Sequence, residues 1–330
     1  MVSLTWPGAL AWRMRRQLLD PVGSTSTSCV VGTLGAVAAQ LDPAAAELGI
    51  RTRRQTSRLG DVDRALEGRI IKTFAFRGAA HLLRPEDAGV YLALRASSRM
   101  WERSSWQSSY GLTPADWPVL REAVREALAD GPMTRAELAA ALTAHPRFRH
   151  LATALTDPSA TFLKPLAWQG DVSLGPSHEG QMTLHRLDAN PRWTGLPDLD
   201  DAGRRAVEAY LRAYGPASPD NVQYWLGEGL GVRRALIRSW VDCLATACAR
   251  SRSTPSPGWC CARTWTSWLP HRRLRRCACF RSTTSGCWGP GTADVHVVPP
   301  AVRPEVSRGA NLVVSEASLP APGRWPAIRW

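Results

Sequence analysis

Apolar positions along the chain fall into runs of helical period separated by shorter runs of strand character. Ala9, Leu10, Trp12, Met14, Leu18 and Leu19 recur at helical spacing, and Pro7 suits a first helical position, so a helix is predicted from about Pro7 to Leu19. Gly32 to Ile50 predicts two short helices divided at Pro43, because proline interrupts a helix interior. Asp61 to Leu66 predicts another. Lys72-Thr73-Phe74-Ala75-Phe76-Arg77-Gly78 has short apolar runs before a glycine, which suits a β-hairpin. Lys164-Pro165-Leu166-Ala167-Trp168-Gln169-Gly170 shares its Lys-x-x-Ala-aromatic-x-Gly pattern and is read as a second hairpin, with Gln181 to Leu187 as the returning strand. These are the only two lysines in the chain, which favours a repeat over coincidence.

A second pair of segments supports the repeat. The helical run Trp117 to Asp130 is followed by Gly131-Pro132 and then Thr134 and Glu137, spaced as a capping box in which hydroxyl and carboxylate satisfy backbone N–H groups at a helix start. The run Asp201 to Tyr214 is followed by Gly215-Pro216 and then Ser218, an N-cap candidate with Pro219 at the first helical position. Both read as helix, turn, capped helix, the outline of a helix-turn-helix. Helices followed by a β-hairpin, repeated, give an α+β, mostly helical fold of tandem winged-helix domains. Unit one is expected over 1–110, unit two over 111–197 and the start of unit three over 198–242. A tract over 243–288 and the remnant of a disrupted C-terminal β-rich part over 289–330 follow.

Composition changes this picture in two ways. The formal charge of +13 and pI near 10.1 suggest an acidic partner, most often nucleic acid. Nearly all of that charge is arginine, however, which is also what a GC-rich genome produces. Seven of the eight cysteines crowd between Cys243 and Cys287. The longest uncharged run, Pro21 to Leu41, has an apolar part too short to span a bilayer, and no secretory signal pattern opens the chain. The expected location is cytoplasmic, nucleoid-associated when bound to DNA.

Several short motifs in order resemble one family. Leu4-Thr5-Trp6 with Ala11-Trp12-Arg13, then Arg77-Gly78-Ala79-Ala80-His81-Leu82-Leu83, Lys164-Pro165-Leu166-Ala167-Trp168 and Leu187-Asp188 resemble the AlkZ-like winged-helix DNA glycosylases. Gly289-Pro290-Gly291-Thr292, Val297-Val298-Pro299-Pro300 and Val306-Ser307-Arg308 resemble that family's C-terminal β-rich part. The resemblance implies a concave basic surface for double-stranded DNA and removal of bulky alkylated or crosslinked purines. It implies no cofactor, and the chain is expected to act as a monomer. The family's signature is Gln-x-Gln, or Gln-x-Asp in a sister group, where a side-chain amide or carboxylate would hold the water that attacks the sugar C1′. An N7-alkylated purine is already cationic and leaves easily, so positioning the water becomes the main task.

In this chain the corresponding stretch is Ala38-Ala39-Gln40. Gln40 matches the last signature position and is the candidate catalytic residue, although the simpler reading is that it ends an apolar helix turn and faces solvent. Ala38 occupies the first position, and a methyl group cannot orient water. The resemblance therefore supports a DNA-binding protein whose glycosylase step is in question, with a non-enzymatic winged-helix binder or regulator as the alternative. His81 could contact DNA or the lesion, or serve structurally beside Leu82 and Leu83. Lys72 and Arg77 on the first hairpin, and Lys164 and Arg186 in the second unit, are candidate phosphate contacts, or else members of solvated strand faces. Asp61 with Asp63, and Glu86 with Asp87, are more simply helix-start residues favoured by the dipole than catalytic carboxylate pairs.

The cysteines fit no metal site. Structural zinc prefers Cys-x₂₋₄-Cys knuckles in pairs. This chain has an adjacent pair at Cys260-Cys261, a Cys-x-Cys at Cys277 and Cys279, and Cys243 to Cys248 without a matching knuckle. A disulfide framework conflicts with a cytoplasmic location. From Cys243 to Trp288 there is no Asp or Glu, and neither helical nor strand periodicity is evident. A tract translated out of frame accounts for this composition. Plausible codons for Cys260 to Trp288, read from one base earlier, give a charge-balanced text beginning Val-Leu-Arg-Glu-Asp-Val-Asp-Glu-Leu that runs directly into Gly289-Pro290-Gly291. A genuine basic arm is the other reading. Without the tract's eight arginines the formal net charge falls from +13 to +5 (13 − 8 = 5), so the expectation of a DNA partner rests chiefly on fold pattern and resemblance.

Overall fold

The computed structural model describes residues 6–39, 43–175 and 180–251, with two further strands over 278–281 and 312–315. The chain opens with α1 (Trp6–Arg16), which stops short of the predicted Leu19 as Leu18 takes φ 61°. α2 (Thr27–Leu34) starts earlier than predicted because Ser26 caps it, its side chain accepting from the Cys29 amide at 3.1 Å. Between α2 and α3 (Pro43–Arg51) lies β1 (Val37–Ala38), so Gly32 to Ile50 is not simply two helices. α4 (Asp61–Leu66) leads into a hairpin of β2 (Ile71–Phe74) and β3 (Ala80–Leu83). β1 pairs with β3, giving the order β1-β3-β2. Helix, short strand, two helices and a two-stranded wing make a winged helix. Val30, Val31, Leu34, Ile50, Ile70 and Leu82 fill its own small core. α5 (Pro85–Ala96) and α6 (Ser104–Tyr110) follow.

The same topology returns. α7 (Asp116–Ala127) is followed by β4 (Met133–Thr134), α8 (Arg135–Thr143), a 3₁₀ turn and α9 (Ala152–Thr156). Thr134 and Glu137 form the predicted capping box, with Glu137 accepting from the Thr134 amide at 2.7 Å. Next come α10 (Lys164–Trp168), β5 (Val172–Leu174) and β6 (Thr183–Arg186). The Lys164 segment is thus a helix and not the predicted hairpin strand. Pro165 has no N–H to give a ladder and suits the first helical turn. Leu166, Ala167 and Trp168 are buried in succession, against the alternation of a half-buried strand. The second hairpin is β5 with β6, and β4 pairs with β6 as β1 does with β3. Lys72 opposite Leu174 joins the halves into one sheet of order β1-β3-β2-β5-β6-β4, which runs the same way from either end.

A third helical pair begins with α11 (Leu199–Tyr214), capped by Asp198, and α12 (Pro219–Gln223), where Ser218 and Asn221 form a reciprocal cap. A π turn over Tyr224–Glu228 leads to α13 (Arg234–Ser251). α13 continues past Asp242, so regular structure enters the tract that sequence periodicity left unassigned. Within the described residues beyond it, β7 (Ala278–Arg281) pairs antiparallel with β8 (Leu312–Ser315). No helix among the described residues is long and apolar enough to cross a membrane.

Contacts distant in sequence lock these parts together. Carbonyls in the last turn of a helix lack intrahelical partners. α1 supplies them at the end of α11: Arg13 donates to Tyr214 O at 3.0 Å and to Pro216 O at 2.7 Å, and Arg16 donates to Arg212 O at 2.9 Å. Trp225 in the π turn meets Phe76 at the first hairpin's turn at 4.7 Å between ring centres, Tyr210 at 5.1 Å and Tyr91 edge-on at 5.7 Å.

Candidate active site and nucleic-acid interface

β1 sets Ala38 opposite His81 on β3, and β2 sets Thr73 opposite the same histidine from the other side. Directly opposed residues of an antiparallel pair share a face, so Ala38, His81 and Thr73 form one row across three strands. The Ala39 amide donates to Ala80 O at 2.9 Å and carries the pairing one residue further. Gln40 itself lies outside the described residues. Ala38 is half-buried, whereas His81 is 3% exposed and Thr73 fully buried, its Oγ1 without a hydrogen-bond partner.

The histidine's state follows from its surroundings. Nδ1 lies 2.9 Å from Ala79 O, a group that only accepts, so Nδ1 carries the proton and Nε2 is the acceptor nitrogen. Burial pushes its pKa down to about 4 against the support of that carbonyl, and the ring is neutral at pH 7. It packs 5.4 Å from the Phe76 ring. The row thus sets a neutral imidazole and a buried hydroxyl beside the methyl group of Ala38.

The candidate phosphate contacts are dispersed. Lys72 lies mid-sheet on β2, half-buried, with its pKa lowered by burial against the opposing pull of Asp63. Arg77 sits in the hairpin turn with φ 55°, exposed, and its Nη2 donates to the Tyr224 hydroxyl at 2.7 Å. Arg186 on β6 is held by both oxygens of Asp188, at 2.9 and 2.7 Å. Lys164 opens α10, and a Cβ on Gly78 would lie 3.7 Å from its Cδ, so this lysine does meet the first unit's turn. Sequence reasoning missed Arg95 of α5, which stacks 4.4 Å over the Trp168 ring. The available signal was a lone cation ending the apolar run Val90 to Leu94. Asp61 accepts from the Arg58 amide at 2.8 Å and from Arg54 and Arg64, which occupies it fully at the start of its helix.

Residues 31–271 match the family model described as DNA glycosylase AlkZ-like. An interstrand DNA cross-link repair glycosylase of Streptomyces sahachiroi is 36% identical over 242 residues, which is 72% of this chain. That match spans 65% of the relative's own length. The solved Streptomyces sahachiroi DNA glycosylase AlkZ superposes with a TM-score of 0.80 at 30% identity, covering 96% of this chain and 86% of that one.

The buried histidine makes stability depend on pH with a definite sign. Above the ordinary histidine value of 6.5 both folded and unfolded chains hold it neutral, and its contribution is constant. As pH falls from 6.5 towards 4 the unfolded chain takes up a proton that the folded chain refuses, so stability drops by up to about 3 kcal/mol. His81→Asn keeps a donor for Ala79 O and removes the titration. Its melting temperature is expected to fall less than the wild type's over that window, and parallel pH profiles would contradict the assignment.

Proposed function

The chain belongs to the AlkZ-like DNA glycosylase family, and from that membership we propose that it binds double-stranded DNA and engages alkylated or crosslinked purines with its hydrolytic step impaired at Ala38. The observation that carries this reading is the methyl group of Ala38, set on β1 opposite His81, at the position that the resemblance matches to the first glutamine of the signature. Hydrolysis of an N7-alkylpurine needs a water held in line with C1′ as the base departs. A side-chain amide holds it through a donor and an acceptor, and alanine has neither. Gln40 is then the remaining amide and its role is to hold water alone. Lys72, Arg77, Lys164 and Arg186 are assigned to the DNA-facing side, where phosphate contacts position the duplex. Arg186 would have to exchange Asp188 for the phosphate, whereas the N–H that Arg77 gives to the Tyr224 hydroxyl is one of several guanidinium donors and does not preclude a phosphate contact. A non-enzymatic DNA binder is the second reading, and the same methyl group favours it.

The chain is taken as a cytoplasmic monomer, divided into units at 1–110, 111–197 and 198–242. Residues 243–288 are taken as translated out of frame. One-base insertions or deletions flanking codons 243 to 288 are expected in the nucleotide sequence, and an intact frame with tract peptides found in cells would remove that reading.

Restoring the amide tests the chemistry. Ala38→Gln is expected to raise single-turnover release of N7-alkylguanine from duplex by about 10–100-fold, given that one preorganised polar group at a reacting centre is worth about 10²–10³. The Kd for the duplex should stay unchanged. No base release by either protein with DNA still bound would leave the non-enzymatic reading standing. Wild-type release as fast as the variant's would show that Ala38 does not limit hydrolysis.

A further inference from the structure

We propose that Lys164 and Arg95 together seat one backbone phosphate of bound DNA, at the seam where the first hairpin's turn, α10 and the segment after the π turn meet. The proposal rests on the DNA-binding reading above and locates part of its interface. Lys164 packs its stem against the Gly78 turn, and its Nζ stands 5.7 Å above the Phe74 ring. Arg95 lies over Trp168, at the other end of the same short helix. Its Nη1 makes a long contact to Leu230 O at 3.4 Å, and its Nη2 meets the weak acceptor Met100 Sδ at 3.5 Å.

The pair has no anion beside it. Several half-buried arginines meet carboxylates, Arg54 with Asp61, Arg84 with Asp87, and Arg121 and Arg125 with the buried Asp171, while Arg16 donates instead to a helix-end carbonyl. Among the described residues, neither Lys164 nor Arg95 has a carboxylate within 4.0 Å, and the Lys164 ammonium has no hydrogen-bond partner. Burial and the charge of Arg95 both push the Lys164 pKa down, against a weaker opposing pull from Asp157. Burial and the charge of Arg103 act in the same direction on Arg95. Arg95 Nε and Trp168 Nε1 are buried without acceptors. The seam therefore holds donors and positive charge in excess. Keeping two like charges half-desolvated is unfavourable unless an anion joins them. Gly78 and Gly231, at φ +67° and +77°, present bare backbone on its two flanks, and a Cβ at Gly231 would lie 2.9 Å from Arg95 Nη1. An ammonium with three unused donors suits a phosphodiester oxygen, while Arg95, stacked in place, contributes field.

The test is duplex affinity of the full chain, by fluorescence anisotropy, across a series of KCl concentrations. Lys164→Met is expected to weaken binding at low salt several-fold and to reduce the slope of log K against log salt by about 1, the signature of one lost phosphate contact. Arg95→Met, which keeps an apolar stem on Trp168, should weaken binding with a smaller change of slope. The melting temperature of Lys164→Met should be unchanged or higher, because an uncompensated charge is removed; a merely structural lysine would lower it. An unchanged slope for Lys164→Met overturns the proposal while leaving the DNA reading intact. Stabilisation by inorganic phosphate that depends on Lys164, with an unchanged DNA slope, assigns the seam to a free anion and overturns it too. A wild type that binds no duplex at any salt concentration sinks the DNA reading, and this site with it.

Discussion

The packing of Trp225 against Phe76, Tyr91, Tyr210 and Tyr214 fixes the rest of the molecule, because those five rings come from a hairpin turn, two long helices and a π turn that are far apart in sequence. Ring pairs at such spacings add about 0.5–1.5 kcal/mol each beyond the area they bury. The tip of the first wing is consequently turned inwards. Phe76 is buried, and Arg77 beside it is tied to Tyr224, so the turn that would be expected to touch DNA also fastens the first unit to the third. Tyr214 adds a hydrogen bond from its hydroxyl to Leu34 O at 3.0 Å, which anchors the end of α2 just before β1. The edge strand carrying Ala38 is held by side chains nearly two hundred residues away.

This arrangement separates the scaffold from the chemistry. Pairing of β1 with β3 uses backbone groups and does not depend on whether residue 38 is glutamine or alanine. The strand, the neutral His81 and the aromatic knot are compatible with either residue at position 38. Charge is partitioned similarly. Several arginines are neutralised by Asp61, Asp87, Asp171 and Glu86 within the chain, so the positive field offered to a polyanion comes from the cations without such partners.

What could be seen in the sequence was local. The capping box at Thr134 and the N-cap at Ser218 are written in residues close together in the sequence, and both helices begin there. The short helix over Asp61 to Leu66 was legible from its acidic start. The Lys164 segment misled, since a short apolar run between a lysine and a glycine satisfies a strand and a buried helix equally, and only Pro165 argued for the helix. β1 is two residues long, too short for any periodicity to announce it. The row of Ala38, His81 and Thr73 depends on strand register, and the Lys164–Arg95 seam on how two units dock. Neither leaves a trace in local spacing, so both sites became visible only in three dimensions.

The central claim is that the β1 edge at Ala38 is where a damaged nucleotide meets the protein. The most direct measurement is a structure of the full chain with a duplex carrying a stable abasic-site analogue. The account predicts that the analogue's C1′ position faces the row formed by Ala38 and His81, with room for a water where the missing amide would have reached. A duplex lying on another face, with Ala38 turned away from the abasic sugar, would contradict it.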